Sequence, residues 1–586
     1  MPNLFKRIWR AWPAHIWLAN YNRKSFNADL LAGLVVTMML IPQGLAYAML
    51  AGLPPVTGLY ASILPLFAYA LFASSRTLAV GPVAIISLLS ANAVAIAHQK
   101  TNIDVISLSV TLAMLSGLLM LIMGILKLGF IANLLSRPVS IGFITGASIV
   151  IALGQLKHIL GININGHNLP QLGQSIIVNI STLDNMTSLV GLATVSFLFW
   201  SRHYLKNLMR AFCSINFAYA ISKMAPILAA CVATFVVSYW QLNTAGVKVI
   251  GEIAVGLPSL QWPNLAQDVI LALLPAAIII SLIGYVESIS VAQTLANKRR
   301  QQINPNHELL GLGAANAAAS ISGGFAVTGG LSRSIVNFDA GAVTPMAGIF
   351  SALGIALASL FLTPLFALLP KAVLGATIFI AVLSLMDIHE FRFTWRYSKQ
   401  DFMAMLITLS SVLFVGVEAG VIAGVMASVA LLLWRTSRPH TAIVGPIPGT
   451  EHFRNVERYA VEQCDQLVTL RIDESLFFGN IRFLENQINQ ILAAKKDHLQ
   501  HLILMASGIN HIDSTAVEKL LDFNQQLKGR GITLHMSEVK GPVLDRLEKT
   551  QFTSHLTGHV FLSQYQAWQT LAVDQNQATV HSQSSI

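Results

Sequence analysis

Charge is scarce in this sequence. Only 11% of its 586 residues are Asp, Glu, Lys or Arg, while 54% are hydrophobic and mean hydropathy is +0.62. An ordinary soluble domain carries about 25% charged residues, so so apolar a chain cannot be one large soluble core and must face lipid. Cysteine is also rare. Cys213, Cys231 and Cys464 lie far apart with no CxxC spacing, which excludes a disulfide framework and a thiolate metal site. The sixteen histidines form no HxxxH-type pair beside a carboxylate. No nucleophile–base set and no nucleotide loop is present, so neither an enzyme nor a cofactor is expected. Residues 1–24 are basic and aromatic but lack a separate apolar stretch before a small-residue cleavage site, so no cleavable signal peptide is expected.

What is present is a succession of apolar segments and a basic balance. The net charge is +10 with a pI near 9.5. Nucleic acid is not the expected reason, because the basic residues sit in short clusters between apolar runs. Fourteen segments of unequal length predict helices near 30–50, 56–73, 80–97, 105–126, 136–156, 186–202, 225–240, 268–293, 308–322, 328–341, 345–364, 368–386, 401–416 and 418–434. One set of loops holds Lys6, Arg7, Arg10, Arg23, Lys24, Arg76, Lys127, Arg202, Lys206, Arg210, Lys223, Lys298, Arg299, Arg300, Arg392, Arg396 and Lys399. The other holds little beyond Lys100, Lys157, Lys248 and Lys371. That asymmetry predicts cytoplasmic termini and an even helix number.

Two segments are short and glycine-interrupted. The third begins Ala79-Val80-Gly81-Pro82-Val83-Ala84 and the tenth Val327-Thr328-Gly329-Gly330-Leu331-Ser332, seven segments apart. Such a pair points to a binding site between two halves, and seven helices per half makes the second half inverted. A helix start offers unpaired N–H groups and a positive dipole end, which together suit an anion. Glycine packing alone is the alternative reading. Ser332 and Ser334 add hydroxyls. Arg333 is costly at this depth and must face a cavity or a partner, as charge for an anion or in an ion pair with Asp339 or Glu287. Glu287, mid-way along the eighth segment between Ile283 and Val291, is a candidate proton carrier or a static partner of Arg333 or Lys298. In the first segment Pro42 is expected to break the helix, with Gln43 and Tyr47 available to line a cavity.

After Arg435 the pattern changes. Strands are predicted at 466–472, 501–505 and 531–536, and helices at 481–493, 514–527 and 542–550, with Ser514 or a neighbour as cap. This reads as a small α/β domain. The Gln/Ser-rich end, 573–586, is expected to be disordered. Expected boundaries are 1–27 for a cytoplasmic N-terminal segment, 28–435 for the membrane domain and 436–572 for the α/β domain.

The runs IPQGLAYAMLAGLPPVTGLYAS (41–62), SSRTLAVGPVAIISLL (74–89) and GGFAVTGGLSRSIVN (323–337) resemble the sulfate permease, or solute carrier 26, family. The C-terminal segment resembles that family's STAS domain. The resemblance implies an α-helical polytopic membrane protein of 14 spans in a seven-plus-seven inverted repeat, with core and gate subdomains, and a homodimer. It implies anion binding by Gln43, Tyr47, Val83, Ala84, Gly330, Leu331, Ser332 and Arg333, and coupling through Glu287. Some animal members carry an aromatic residue where Val83 stands, so the pocket here is expected to be roomier. Sodium-linked members resemble this chain less, because Val291 stands where they carry a hydroxyl residue. His511-Ile512-Asp513-Ser514-Thr515 is similar to the phosphorylated loop of bacterial anti-sigma antagonists, making Ser514 and Thr515 candidate phosphosites or merely a helix cap.

The expectation is therefore a secondary carrier of small inorganic anions, with proton-coupled sulfate uptake favoured. Alternatives are a bicarbonate, dicarboxylate, chloride or nitrate carrier or exchanger, an uncoupled anion channel, or a membrane sensor. The expected setting is a bacterial plasma membrane, with lipid, the anion and a proton as partners.

Overall fold

The computed structural model describes residues 13–134, 136–210, 222, 224–252, 255–495 and 498–572. The 573–586 tail, Cys213 and the basic residues Lys6, Arg7, Arg10 and Lys223 lie outside the described residues. The chain divides into two compact units, 1–428 and 429–586.

The first unit is helical, and the elements that matter here are these. α1 spans Arg23–Leu50, β1 Val80–Gly81, α2 Ala84–Thr101, α3 Val105–Ile125, α4 Arg137–Ile159, α5 Asn185–Trp200 and α6 Ala225–Tyr239. They are followed by α7 (Gln267–Lys298), α8 (Pro305–Ile321), β2 (Thr328–Gly329), α9 (Leu331–Asp339), α10 (Met346–Phe361), α11 (Lys371–Leu383), α12 (Lys399–Phe414) and α13 (Val417–Ser437). Among the described residues six helical stretches are long and apolar enough to cross a bilayer, and three shorter apolar helical stretches accompany them.

The helices sort into two packed groups. α3 lies against α7 and α8, α2 against α7, and α1 against α10; in the other group α4 lies against α11 and α12, and α5 against α11. In lipid no hydrophobic force draws helices together, so close packing must do it. The α3–α8 seam shows how. A Cβ on Gly117 would stand 2.7 Å from the Ala317 nitrogen, and one on Gly313 would stand 2.8 Å from the Gly117 carbonyl oxygen. Glycine at both positions lets the two backbones touch.

Several expectations need correction. Pro42 does not break the first helix; α1 runs through it. Proline removes one helical hydrogen bond, but a helix packed on its neighbours tolerates that loss. The second segment, by contrast, is two helices, Val56–Tyr60 and Leu64–Phe72. The third and tenth segments start as strands, so their helices begin only at Ala84 and Leu331.

The second unit contains a six-stranded sheet in the order β4-β3-β5-β6-β7-β8. Its strands are β3 (Thr441–Pro446), β4 (Phe453–Asn455), β5 (Leu467–Ile472), β6 (His501–Met505), β7 (Thr533–Ser537) and β8 (Val560–Phe561). β5 to β8 are parallel, while β3 pairs antiparallel with both β4 and β5. Parallel neighbours require crossover helices. These are α14 (Ile481–Lys495), α15 (Ser514–Gly529) and α16 (Gly541–Lys549). The sequence pattern located β5, β6 and β7 but not β3, β4 or β8.

Candidate functional site

β1 and β2 are two residues each, and they pair antiparallel: Val80 opposite Gly329 and Gly81 opposite Thr328. Each strand leads directly into a helix, so the pairing brings the starts of α2 and α9 together. A Cβ on Gly330 would stand 3.4 Å from the Val83 Cγ2 atom. Val83 and Gly330 are the N-cap residues of these helices; neither cap has a side-chain hydrogen bond, and no acidic residue occupies either first turn. Backbone N–H groups at both starts therefore keep their donor capacity and the positive ends of two dipoles.

Neighbouring side chains fix this geometry. The Asn316 amide of α8 spans Val327: its Nδ2 donates to the Val327 carbonyl and its Oδ1 accepts from the Val327 N–H, both at 2.9 Å. The Ser288 hydroxyl of α7 accepts from the Gly329 N–H at 2.9 Å and pairs with the Thr328 hydroxyl at 2.6 Å, which donates in turn to the Gly284 carbonyl at 2.7 Å. Ser334 accepts from the Ala79 N–H at 2.9 Å, and Asn337 donates to the Thr77 carbonyl at 3.0 Å. Ser334 thus anchors the scaffold rather than facing an anion. Asn316, Ser288 and Asn337 escaped the sequence reading because nothing but the fold brings them to β1 and β2.

Arg333 is almost fully buried. Its Nε donates to the Ala79 carbonyl and its Nη1 to the Pro82 carbonyl, each at 3.2 Å, while its Nη2 is buried with no partner among the described residues. An ion pair with Asp339 or Glu287 does not form within 4 Å among the described residues. The guanidinium instead clamps the strand that leads into α2, and among the described residues both N–H groups of its Nη2 stay unspent. Leu331 and Ser332, the first residues of α9, are exposed.

A cavity of about 190 Å³ opens beside these starts, bounded by Gln43 and Tyr47 of α1, Ser332 of α9, and Thr377 of α11, with Arg202 also on its wall. Of the eight expected anion-site residues, Gln43, Tyr47 and Ser332 line this cavity. Val83, Ala84, Gly330, Leu331 and Arg333 form the two helix starts beside it.

Among the described residues of the helical unit, the carboxylates Asp29, Glu308 and Glu287 differ. Asp29 accepts from the Val343 and Thr344 N–H groups and the Thr344 hydroxyl. Glu308 accepts from the Tyr69 hydroxyl at 2.6 Å, the Ser74 N–H and hydroxyl, and the Ser75 N–H. Both are satisfied structural groups. Glu287 is not: its Oε2 is buried without a partner among the described residues, and the side chain interacts electrostatically with Arg333 and Tyr47. Of the three carboxylates, Glu287 is the one with unspent capacity near the helix starts.

In the second unit Asp513 caps α15, accepting from the Ala516 N–H at 2.8 Å. Ser514 and Thr515 are exposed and spared that duty. Arg546 reaches the His511 ring and donates to the Ile512 carbonyl, placing a cation beside the loop.

Comparison with known proteins agrees with this arrangement. Residues 26–408 match the sulfate permease family and residues 458–567 the STAS domain. "Sulfate transporter 4.1, chloroplastic" from Arabidopsis thaliana is 35% identical over 540 residues, covering 90% of this chain and 77% of that protein. "High affinity sulfate transporter 2" from Stylosanthes hamata is 30% identical over 551 residues, covering 91% and 81%. In structure, the murine Solute Carrier 26 family member A9 anion transporter in its inward-facing state superposes with a TM-score of 0.85 at 24% identity, over 95% of this chain and 93% of that one. The transmembrane domain of a cyanobacterium bicarbonate transporter, BicA, gives a TM-score of 0.59 at 23% identity over 70% and 98%. This chain belongs to the sulfate permease family of anion transporters, as an integral multi-pass membrane protein with a C-terminal STAS domain and not an enzyme.

Proposed function

We propose that this protein is a secondary active transporter of small inorganic anions, and that sulfate taken up with a proton is its substrate. The observation that carries the reading is the pair of uncapped helix starts joined through β1 and β2 beside the Gln43–Tyr47–Ser332 cavity. Backbone N–H groups of α2 and α9, the Ser332 hydroxyl and the Gln43 amide are donors suited to a tetrahedral oxyanion. Arg333 holds the donors in place and adds a positive charge that the anion feels without a direct ion pair. Val83 and Ala84, both small, leave the start of α2 open. Relatives named as sulfate transporters favour sulfate over the other anions.

Glu287 carries the proton in this reading, because it is a partly unsatisfied buried carboxylate within electrostatic reach of Arg333. The chain works as a homodimer with both termini in the cytoplasm of a bacterial host. The STAS domain regulates it, with Ser514 and Thr515 as phosphosites beside Arg546. The test is uptake into proteoliposomes of labelled sulfate, bicarbonate, nitrate, chloride and dicarboxylate, with and without a pH gradient. Sulfate accumulation driven by an acidic outside supports the reading. Uptake of another anion alone, or sulfate flux indifferent to the gradient, overturns it.

A further inference from the structure

A second polar cavity lies beside the last turn of α1. Residues 39–47 of α1 contribute to the first cavity; Met49 and Leu50 of α1, with Ala51 and Gly52 just beyond it, contribute to the second, which has a volume of about 490 Å³. It is walled by the later turns of α2 and α4, away from the paired strands. Its polar lining includes Asn92, Gln99, Gln155, Lys157 and His167, and none of its lining residues is acidic. A smaller adjoining cavity shares Asn92, Gln99 and His167 and brings in one carboxylate, Glu418.

Two features set this cavity apart from a chance gap between helices. Gln155 is only 2% exposed, yet its amide has no hydrogen-bond partner among the described residues; the little surface it retains faces the cavity. A primary amide that reaches a cavity offers two donors and an acceptor to what fills it. Lys157 stands two residues on, with no ion-pair partner within 4 Å among the described residues. A lysine in the last turn of α4 is favoured by the helix dipole, which explains its presence there but not the idle amide beside it. The Asn92 Oδ1 meets the His167 Nδ1 at 3.1 Å, which leaves the Asn92 N–H groups for the cavity.

We propose that this cavity is a second anion-binding station, in which the Lys157 ammonium and the amides of Gln155 and Asn92 hold the anion on the far side of the central site. The proposal rests on the transport reading and deepens it: an anion crossing the protein is held first, or last, here. Its chemistry is that of a small inorganic oxyanion met by one cation and neutral donors.

The test places a reporter in the cavity. A Cβ on Gly154 meets nothing within 4 Å, and Gly154 lines the cavity, so Gly154→Cys adds its Cβ there without a clash. In a background with Cys213, Cys231 and Cys464 replaced by serine, the reporter is reacted with a membrane-impermeant cationic thiosulfonate in the full-length protein. Sulfate should slow the reaction roughly fivefold at about four times its dissociation constant, as mass action requires. Adding Lys157→Gln or Gln155→Leu should abolish that protection, and Lys157→Arg should retain it. Closure of the cavity driven from the central site would survive Lys157→Gln, so protection that persists in that variant overturns the proposal. So does unprotected labelling at sulfate concentrations that saturate uptake. If the parent takes up a different anion from the panel, the same measurement with that anion separates failure of the sulfate reading from failure of the second station.

Discussion

The Nη1 of Arg333 donates to the carbonyl of Pro82 at 3.2 Å, so the cation at the start of one half-helix is bonded to the backbone that leads into the other. With the Nε bond to Ala79, one side chain ties together two segments about 250 residues apart in sequence. In the proposed anion site the donors would thus be held in register by the same residue that supplies its charge.

Charge and clamping can be separated at Arg333. Lysine keeps the charge, but its single ammonium nitrogen lacks the planar fork that reaches the Ala79 carbonyl from Nε and the Pro82 carbonyl from Nη1. Arg333→Lys should weaken sulfate binding and lower the melting temperature, with Arg333→Ala worse on both. Truncating a buried charged hydrogen-bonding group costs roughly 1–3 kcal/mol or more. Calorimetric binding and a thermal melt of detergent-purified protein check this. Unchanged affinity in Arg333→Ala would remove Arg333 from the site.

Gly81 is the partner of that clamp. Its φ is +155°, and a Cβ there would stand 3.3 Å from three atoms of the Arg333 guanidinium. Gly81→Ala should therefore displace Arg333 and strain the backbone, at a cost of about 1–3 kcal/mol. Gly173→Ala, where a Cβ meets nothing within 4 Å and the residue is helical, should leave stability level or raise it. Melting both variants beside the parent tests the contrast; equal loss at the two positions would sink the account of Gly81.

The STAS unit offers a pH prediction. His535 on β7 is buried, and its ring lies between His501, whose Nδ1 is 3.2 Å from its Nε2, and the His559 N–H, which donates to its Nδ1 at 3.1 Å. Burial first, then the neighbouring histidines, push its pKa down to about 4 from 6.5. The unfolded chain thus binds a proton between those values that the folded unit refuses. The stabilisation is complete above about pH 6.5 and is lost as pH falls toward 4. Hydrogen-exchange protection of β6 and β7 in the full-length protein should drop between pH 7 and pH 5. In His535→Gln that drop should shrink. A parent whose protection is flat over this interval would contradict the assignment.

Much of this was legible in the sequence where glycine, proline and charge punctuate apolar runs. The pair around Gly81 and Gly330 could be seen because short helices need small residues at their starts. Arg333 and Glu287 stood out because charge is rare there. What Arg333 does could not be read, since its carbonyl partners carry no side-chain signature. Pro42 misled because local chemistry says break while packing keeps α1 whole. Ser288, Asn316 and Gln155 were invisible for a related reason: a lone polar residue in an apolar helix acquires meaning only when the fold shows whether it has a partner. β3 and β4 were missed because they follow the last membrane helix too closely for a linker to announce them.

Glu287 differs from Asp29 and Glu308 in having a buried oxygen with nothing to accept from among the described residues, and it precedes Ser288, which holds β2 against α7. A proton arriving at Glu287 would change the electrostatic field at Arg333 and Tyr47 without breaking any hydrogen bond in the scaffold. A proton entering with sulfate also offsets one of the anion's two charges, and an inside-negative potential opposes each negative charge by about 2.3 kcal/mol per 100 mV. Coupled uptake should therefore accelerate as the outside pH falls. Glu287→Gln has the shape of the protonated acid and cannot release a proton. It should still bind sulfate and exchange it across the membrane, but it should lose accumulation driven by a pH gradient. Glu308→Gln, which removes charge from a satisfied carboxylate, should instead lower stability while any folded protein keeps its response to pH. Labelled sulfate in proteoliposomes, with counterflow and pH-jump protocols side by side, reads both variants. If Glu287→Gln accumulates sulfate under a pH gradient as the parent does, the residue is structural and proton symport through it is wrong.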